Sequence, residues 1–299
     1  MIVEKALSPT LEEAGPRTVR DTATLAVRDS APDLVVDAAS RAPSGSLRIV
    51  AVRRGGRTVV ETLRQEGLAR CSRPLAEPGA PQAARLVVSQ LGPGFVRGDR
   101  FTTDGELGPG GQLTVAAQAA ARVLGEGAAS EALTTWRLGA GARLFMAGEP
   151  TMLYAGATNR SYSTVTLGAG ASLAWIDAIA PYGAFERATT QLRVFYGDRL
   201  AVHDRLVLTP ARLPAALGSA YYLRDGLSPE RQAELLAAAD AFAARACEAG
   251  RLRIGVGNPA AGGIALRAVG DRVRDVREAL FEVLVALRRI DGDHDVPFV

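Results

Sequence analysis

The phrase L-G-x-G-x-x-L occurs three times, as LGPGGQL at Leu107 to Leu113, LGAGARL at Leu138 to Leu144 and LGAGASL at Leu167 to Leu173. The intervals are 31 and then 29 residues. A phrase returning at nearly constant spacing restricts the chain to architectures that repeat one local event. For a glycine-rich phrase that event could be a phosphate cradle. A cradle needs a strand before the loop and a helix N-terminus after it, where free N–H groups and the helix dipole hold the anion. After each second glycine, however, the sequence returns to strand composition, QLTVA, RLFMA and SLAWI, and no GxxxxGK[ST] run occurs. The phrase therefore reads as a tight turn. Its glycines, Gly108, Gly139 and Gly168 among them, give the turn its shape, and the flanking leucines anchor it on a core. A period of about 30 residues fits layers of two or three strands, either an irregular β-helix-like stack or a sandwich of repeated hairpins. The stack is the reading adopted.

The segments between the turns agree. From Leu47 onward, short β-branched or aromatic runs bounded by Gly, Pro or Asn arrive about every 8 to 15 residues, with no helical period between them. A βαβ sheet would need crossover helices, so the body is expected to be mainly β. Arg54-Gly55-Gly56-Arg57 reads as a hairpin turn. Helices are expected only late. SPERQAELLAAADAFAARACEA has Ser228 as N-cap, Pro229 at the first helical position, and Leu235, Leu236, Ala239, Phe242 and Ala246 on one side. DRVRDVREALFEVLVALRRI places Val276, Leu280, Leu284 and Leu287 on one stripe and basic residues at its end. Residues 1–45, ending in SRAPSGS, read as a poorly ordered extension. Residues 46–299 read as one domain, with a β body over 46–227 and helices over about 229–249 and 273–290.

Composition narrows the function classes. The chain has 299 residues, 47% of them hydrophobic, enough for a sizeable core. Thirty-five Lys and Arg against 32 Asp and Glu leave a net charge of only +3, without a basic run, so nucleic acid is not an expected partner. Cys71 and Cys247 lie in no CxxC or Cys/His cluster, which argues against zinc or a disulfide framework. No secretory h-region and no apolar run of membrane-spanning length is found, and a soluble cytoplasmic protein is expected, with no membrane partner. With two histidines in all, His203 and His294, and no GxSxG, nucleophilic catalysis finds no support.

The order of several phrases is similar to that of a known family. GPGFVRGDRF at Gly92 to Phe101, containing Gly94, Gly98 and Asp99, resembles the G-G-G-x-V-x-G-D signature of the urease accessory protein UreD family. LGPGGQLTVAAQAAARV, with Gln118 and Arg122, resembles its glycine turn and T-x-Q-A-x-T-K-V strand. GARLFMAGEPTMLYAGA, with Glu149, Pro150 and Gly156, resembles its P-Q-P stretch, and GASLAWIDAI its strand ending W-E. GIALRAVGDRVRDVREALFEVLVALR is similar to the closing strand and helix. There are departures: Ala121-Arg122-Val123-Leu124 stands where the family has T-K-V-Y, Glu149 replaces its glutamine, and PYGAF lacks its arginine.

The resemblance implies a mostly β, stacked body and a non-enzymatic chaperone. It would act with a helical UreF-type protein and a UreG-type GTPase on apo-urease, with Ni²⁺ in transit and no tightly bound cofactor. The alternative is a β-repeat scaffold or carbohydrate-binding module. Under the first reading, Asp177 in SLAWIDAIAP is the leading pathway acid, because a carboxylate inside an apolar strand is costly unless partnered. The opposing reading has strand alternation aim it at solvent. Asp99 is either a pathway acid or a turn residue capping its own backbone, and Glu149 either a pathway acid or a solvated loop acid. His203 reads as a surface histidine, and both cysteines as small core or helix residues.

Overall fold

The computed structural model describes residues 43–292, apart from 214 and 249. Nearly all of the expected N-terminal extension, and His294, lie outside the described residues. The chain opens with the hairpin that the Arg-Gly-Gly-Arg turn predicts. β1 (Gly45–Arg54) and β2 (Arg57–Gly67) are antiparallel with Arg54 opposite Arg57, and Gly55 and Gly56 have φ of 54° and 80°. Two consecutive positive φ values match the turn to the twist of the flanking strands.

β3 (Ala69–Cys71), β4 (Leu75–Glu77) and β5 (Ala80–Gln90) then carry the chain onto a second sheet. Three coils follow. β6 (Arg100–Leu107), β7 (Gln112–Ala117) and β8 (Ala121–Val123) form the first. β9 (Ser130–Leu138), β10 (Arg143–Ala147) and β11 (Thr151–Leu153) form the second, and β12 (Thr158–Leu167) with the long β13 (Ser172–Pro181) the third. β14 (Arg187–Tyr196), β15 (Arg199–Leu208) and β16 (Ala216–Arg224) end the stack. They lead to α1 (Pro229–Glu248), β17 (Leu252–Gly257), β18 (Ile264–Gly270) and α2 (Val273–Ile290).

One sheet has seven strands in the order β15-β14-β12-β9-β6-β1-β2. The other has eleven, along the path β17-β18-β16-β13-β10-β7-β5-β3 with β4, β8 and β11 beside it. The first strand of each coil lies in the seven-stranded sheet and the next in the other. β6, β9, β12 and β14 are therefore parallel neighbours without any crossover helix, because each return runs through the opposite sheet. The result is a β-solenoid-like stack, mainly β with two helices, as the period implied.

Each L-G-x-G-x-x-L phrase is the corner where a coil passes from one sheet to the other, and the corners lie on top of one another. Gly139 N–H donates to the carbonyl of Leu107 at 2.7 Å, and Gly168 N–H to that of Leu138 at 2.8 Å. Gly110 N–H reaches Ala140 O at 2.9 Å and Gly141 N–H reaches Ala169 O at 2.8 Å. The six flanking leucines are all 5% exposed or less. The two glycines of each phrase serve different needs. Gly141 has φ +63° and open space around it, whereas a Cβ on Gly139 would lie 2.7 Å from the backbone N of Pro109 in the preceding corner.

Between the sheets, Ile49, Leu107, Trp136 and Val165 from one side meet Leu86, Leu144, Leu173 and Trp175 from the other. A separate cluster lies under the helices, where Val276, Leu280, Leu284 and Leu287 of α2 cover Ala220, Tyr222 and Leu266. α1 begins as expected, with Ser228 Oγ accepting from Arg231 N–H at 3.2 Å. Its buried residues are Leu235, Ala239 and Ala243.

Candidate functional site

β13 is buried on both faces. Ala174, Ile176 and Ala180 lie in the cluster under the helices, while Leu173, Trp175 and Ile179, on the opposite face, belong to two interior clusters further along the strand. Asp177 has the parity of Leu173, Trp175 and Ile179. Its carboxylate therefore faces the interior and interrupts the apolar filling.

A cavity of about 20 Å³ surrounds that interruption, lined by Asp177, Ser161 and Ser163 of β12, Asp204 of β15, and Ser219 and Tyr221 of β16. It is of the size and polarity that suit one ordered water. Burial strips water from the ionised form and pushes the Asp177 carboxyl up to about 6; the Arg267 guanidinium opposes the shift, Asp204 adds to it, and the Ala178 backbone N–H counters it. Asp204 is tied across the gap between the sheets. Its Oδ2 accepts from the Tyr221 hydroxyl and from Arg267 Nη2, the latter at 2.7 Å. Burial, with Asp204 alongside, raises the Tyr221 phenol and keeps it a donor.

The cavity does not stand alone. Thr103, Thr134 and Ser163 occupy one register line across β6, β9 and β12, and the same line continues through Leu192 to Asp204. Thr103 and Thr134 line a second, larger cavity of about 280 Å³, together with Phe95, Phe101, Gln118 and Arg122. Adjacent strands lie about 4.8 Å apart, so Thr134 and Ser163 are side-chain neighbours leading from one cavity to the other.

The other acids singled out from sequence do not line the cavity of Asp177. Asp99 accepts from Ser44 Oγ at 2.7 Å and from Val96 N–H at 2.9 Å, which fastens the Val96–Asp99 turn to the start of β1. Glu149 pairs with Arg277 of α2 at 2.5 Å, and Arg277 Nε also donates to Gly148 O at 3.2 Å. Desolvation raises the Glu149 carboxyl and Arg277 counters it. His203 is exposed on the outer face of β15, where desolvation first, then Arg193 and Arg205, hold its imidazole below the usual range. Among the described residues no group of three or more His, Cys, Asp or Glu could hold a metal.

The family-motif residues are placed as backbone fasteners. Phe95 N–H donates to Arg122 O at 2.7 Å, and a Cβ on Gly94 would strike that same carbonyl at 2.4 Å. Gly98 N–H reaches Ala128 O, Gln118 N–H reaches Val88 O, Ala121 N–H reaches Pro150 O, and Gly156 N–H reaches Ala184 O.

Asp204, Arg267 and Tyr221 were not singled out from sequence. In LAVHDRLVL, alternation does put Asp204 on the face of Val202, Leu206 and Leu208, and that signal could have found it. That Arg267, 63 residues further on, would meet it was not readable, because the pairing runs between different sheets.

The stacked body, with a line of polar side chains leading from one cavity to the other, defines a β-solenoid-like scaffold. A family model described as UreD urease accessory protein matches residues 43–298, and the chain belongs to that family. It is 29% identical over 224 residues to the urease accessory protein UreD of Sorangium cellulosum, covering 66% of this chain and 70% of that protein. It is 31% identical over 137 residues to the UreD of Roseobacter denitrificans, covering 45% of this chain and about half (49%) of the relative. It is 30% identical over 150 residues to that of an Anaeromyxobacter strain, covering 47% and 50%. No helix among the described residues is long and apolar enough to cross a membrane.

Proposed function

We propose that this protein is a scaffold for nickel insertion into apo-urease, working in the cytoplasm in a complex with UreF- and UreG-type proteins and passing Ni²⁺ between its two sheets. The observation that carries this reading is the polar line through an otherwise apolar interior: Thr103, Thr134 and Ser163 in register, ending at Asp177 and Asp204. Polar groups drawn into an apolar interior cost stability unless hydrogen-bonded or paired, so a line of them is a feature that function would have to maintain. Two carboxylates and a set of hydroxyls offer weak oxygen ligation, which suits an ion that must be released; a tight nickel site would draw on imidazole or thiolate. With its carboxyl near 6, Asp177 is mostly ionised at neutral pH and can meet a cation.

The test is nickel-dependent activation of apo-urease by the assembled accessory complex, comparing the native chain with Asp177→Ala. Activation is expected to fall while the complex still forms. Wild-type activation by D177A would sink the conduit reading and leave a scaffold that acts through its surfaces alone.

A further inference from the structure

β15 is the last strand of the seven-stranded sheet, and β18 lies one strand in from the corresponding edge of the other sheet. The Asp204–Arg267 ion pair joins these two strands across the opening between the sheets. Both side chains are partly exposed, 25% for Asp204 and 35% for Arg267, and Asp177 lines the same cavity behind them. The guanidinium is thus a fixed positive charge on a cavity carboxylate, at the border between interior and solvent.

We infer that Arg267 is a removable plug: its guanidinium holds, on Asp204, the place a divalent cation takes on passing between the Asp177 cavity and solvent, and cargo moves through this mouth only when the Arg267–Asp204 pair opens. This rests on the reading of the interior as a cation path. Three features support it. Arg267 Nη2 meets the carboxylate oxygen that also accepts from Tyr221, so the phenol keeps Asp204 oriented when the guanidinium leaves. Ser219, directly opposite both Asp177 and Arg267 in register, supplies a hydroxyl between the two. A partly exposed ion pair is also weak enough to open, because solvent screens it.

The experiment is equilibrium dialysis of the full chain against nickel sulfate, for the wild type, Arg267→Met, Arg267→Lys and the double variant Arg267→Met/Asp177→Asn. Folding is monitored by circular dichroism. Removing the plug should tighten nickel binding several-fold, because a cation at Asp204 no longer has to displace a screened guanidinium or bind beside it. R267K should bind like the wild type, and the gain should vanish in the double variant. A structural role for Arg267 would lower stability in both single variants without tightening nickel binding. Should R267M not fold, Arg267→Gln serves as the neutral variant. Unchanged nickel affinity in whichever neutral variant folds overturns the plug. This outcome is separate from the fate of the conduit itself, which stands or falls on urease activation by D177A.

Discussion

At Gly141 and Gly139, one turn contains two opposite demands on a side chain. Gly141 needs a left-handed backbone but has room, so asparagine there is expected to be tolerated better than alanine, which costs about 1–2 kcal/mol. Gly139 has ordinary φ but no room, so the order reverses: alanine is harmful and asparagine worse. Urea unfolding of the four single variants measures both orders; the same order at both positions would refute the account. Asp177 gives a pH prediction. Its folded-state carboxyl titrates near 6 and its unfolded one near 4. Below about 4 both states are protonated and no penalty exists. Between about 4 and 6 only the unfolded state ionises, so stability declines as pH rises, by about 2–3 kcal/mol in all, and the penalty is constant above. Asp177→Asn should therefore be more stable than wild type at pH 7, and the gap should close toward pH 4 in parallel denaturation curves. That Asp177 carried a cost was legible in SLAWIDAIAP. Its inward aim was not, because β13 is buried on both faces and alternation has no solvent side to report. Cys71, read from sequence as a small core or helix residue, lies half-buried at the end of β3 with a free thiol that burial pushes to about 11. Iodoacetamide at pH 8 should leave it unmodified until the protein is denatured.

Among the elements, α2 does most to close the molecule. Its stripe of Val276, Leu280, Leu284 and Leu287 is fully buried against β13, β16 and β18, and the 3.6-residue period announced each of these positions. The receiving surface was not announced. Gly218 of β16 lies where a Cβ would come within 2.6 Å of Leu280 and 2.7 Å of Val276, so the helix sits directly on strand backbone. Nothing in AALGSAYY signals a helix overhead. Leu280→Ala should cost about 2–5 kcal/mol in chemical denaturation. Glu149, read from sequence as either a pathway or a solvated loop acid, pairs with Arg277, which fixes the β10–β11 loop to this helix.

For the whole molecule, the repeat period was enough to indicate a stack, because identical phrases must meet identical surroundings. It did not indicate which strands share a sheet, since a 30-residue return is compatible with hairpins or coils. The parallel registers of β6, β9, β12 and β14 decide for coils. The seven-stranded sheet is cross-linked outside by charges, Arg48 bridging Asp104 and Glu106 while Arg137 reaches both acids, whereas the other sheet relies on the helices. A chain ending before Val273 should accordingly keep its strands, bind a hydrophobic dye and associate in size-exclusion chromatography, because Tyr222, Leu266 and Phe145 lose their cover. A monomeric, dye-negative truncation would contradict that division of labour.

The column of corners also bears on how such a chain can change length over evolution. Each corner is bonded to the ones above and below by the same N–H to carbonyl links. A single inserted residue in a corner breaks two of these levels at once, while a complete duplicated coil inherits them intact. The molecule therefore has a natural unit of heredity larger than a residue and smaller than a domain, and its relatives should differ in length within the outer loops or by whole coils.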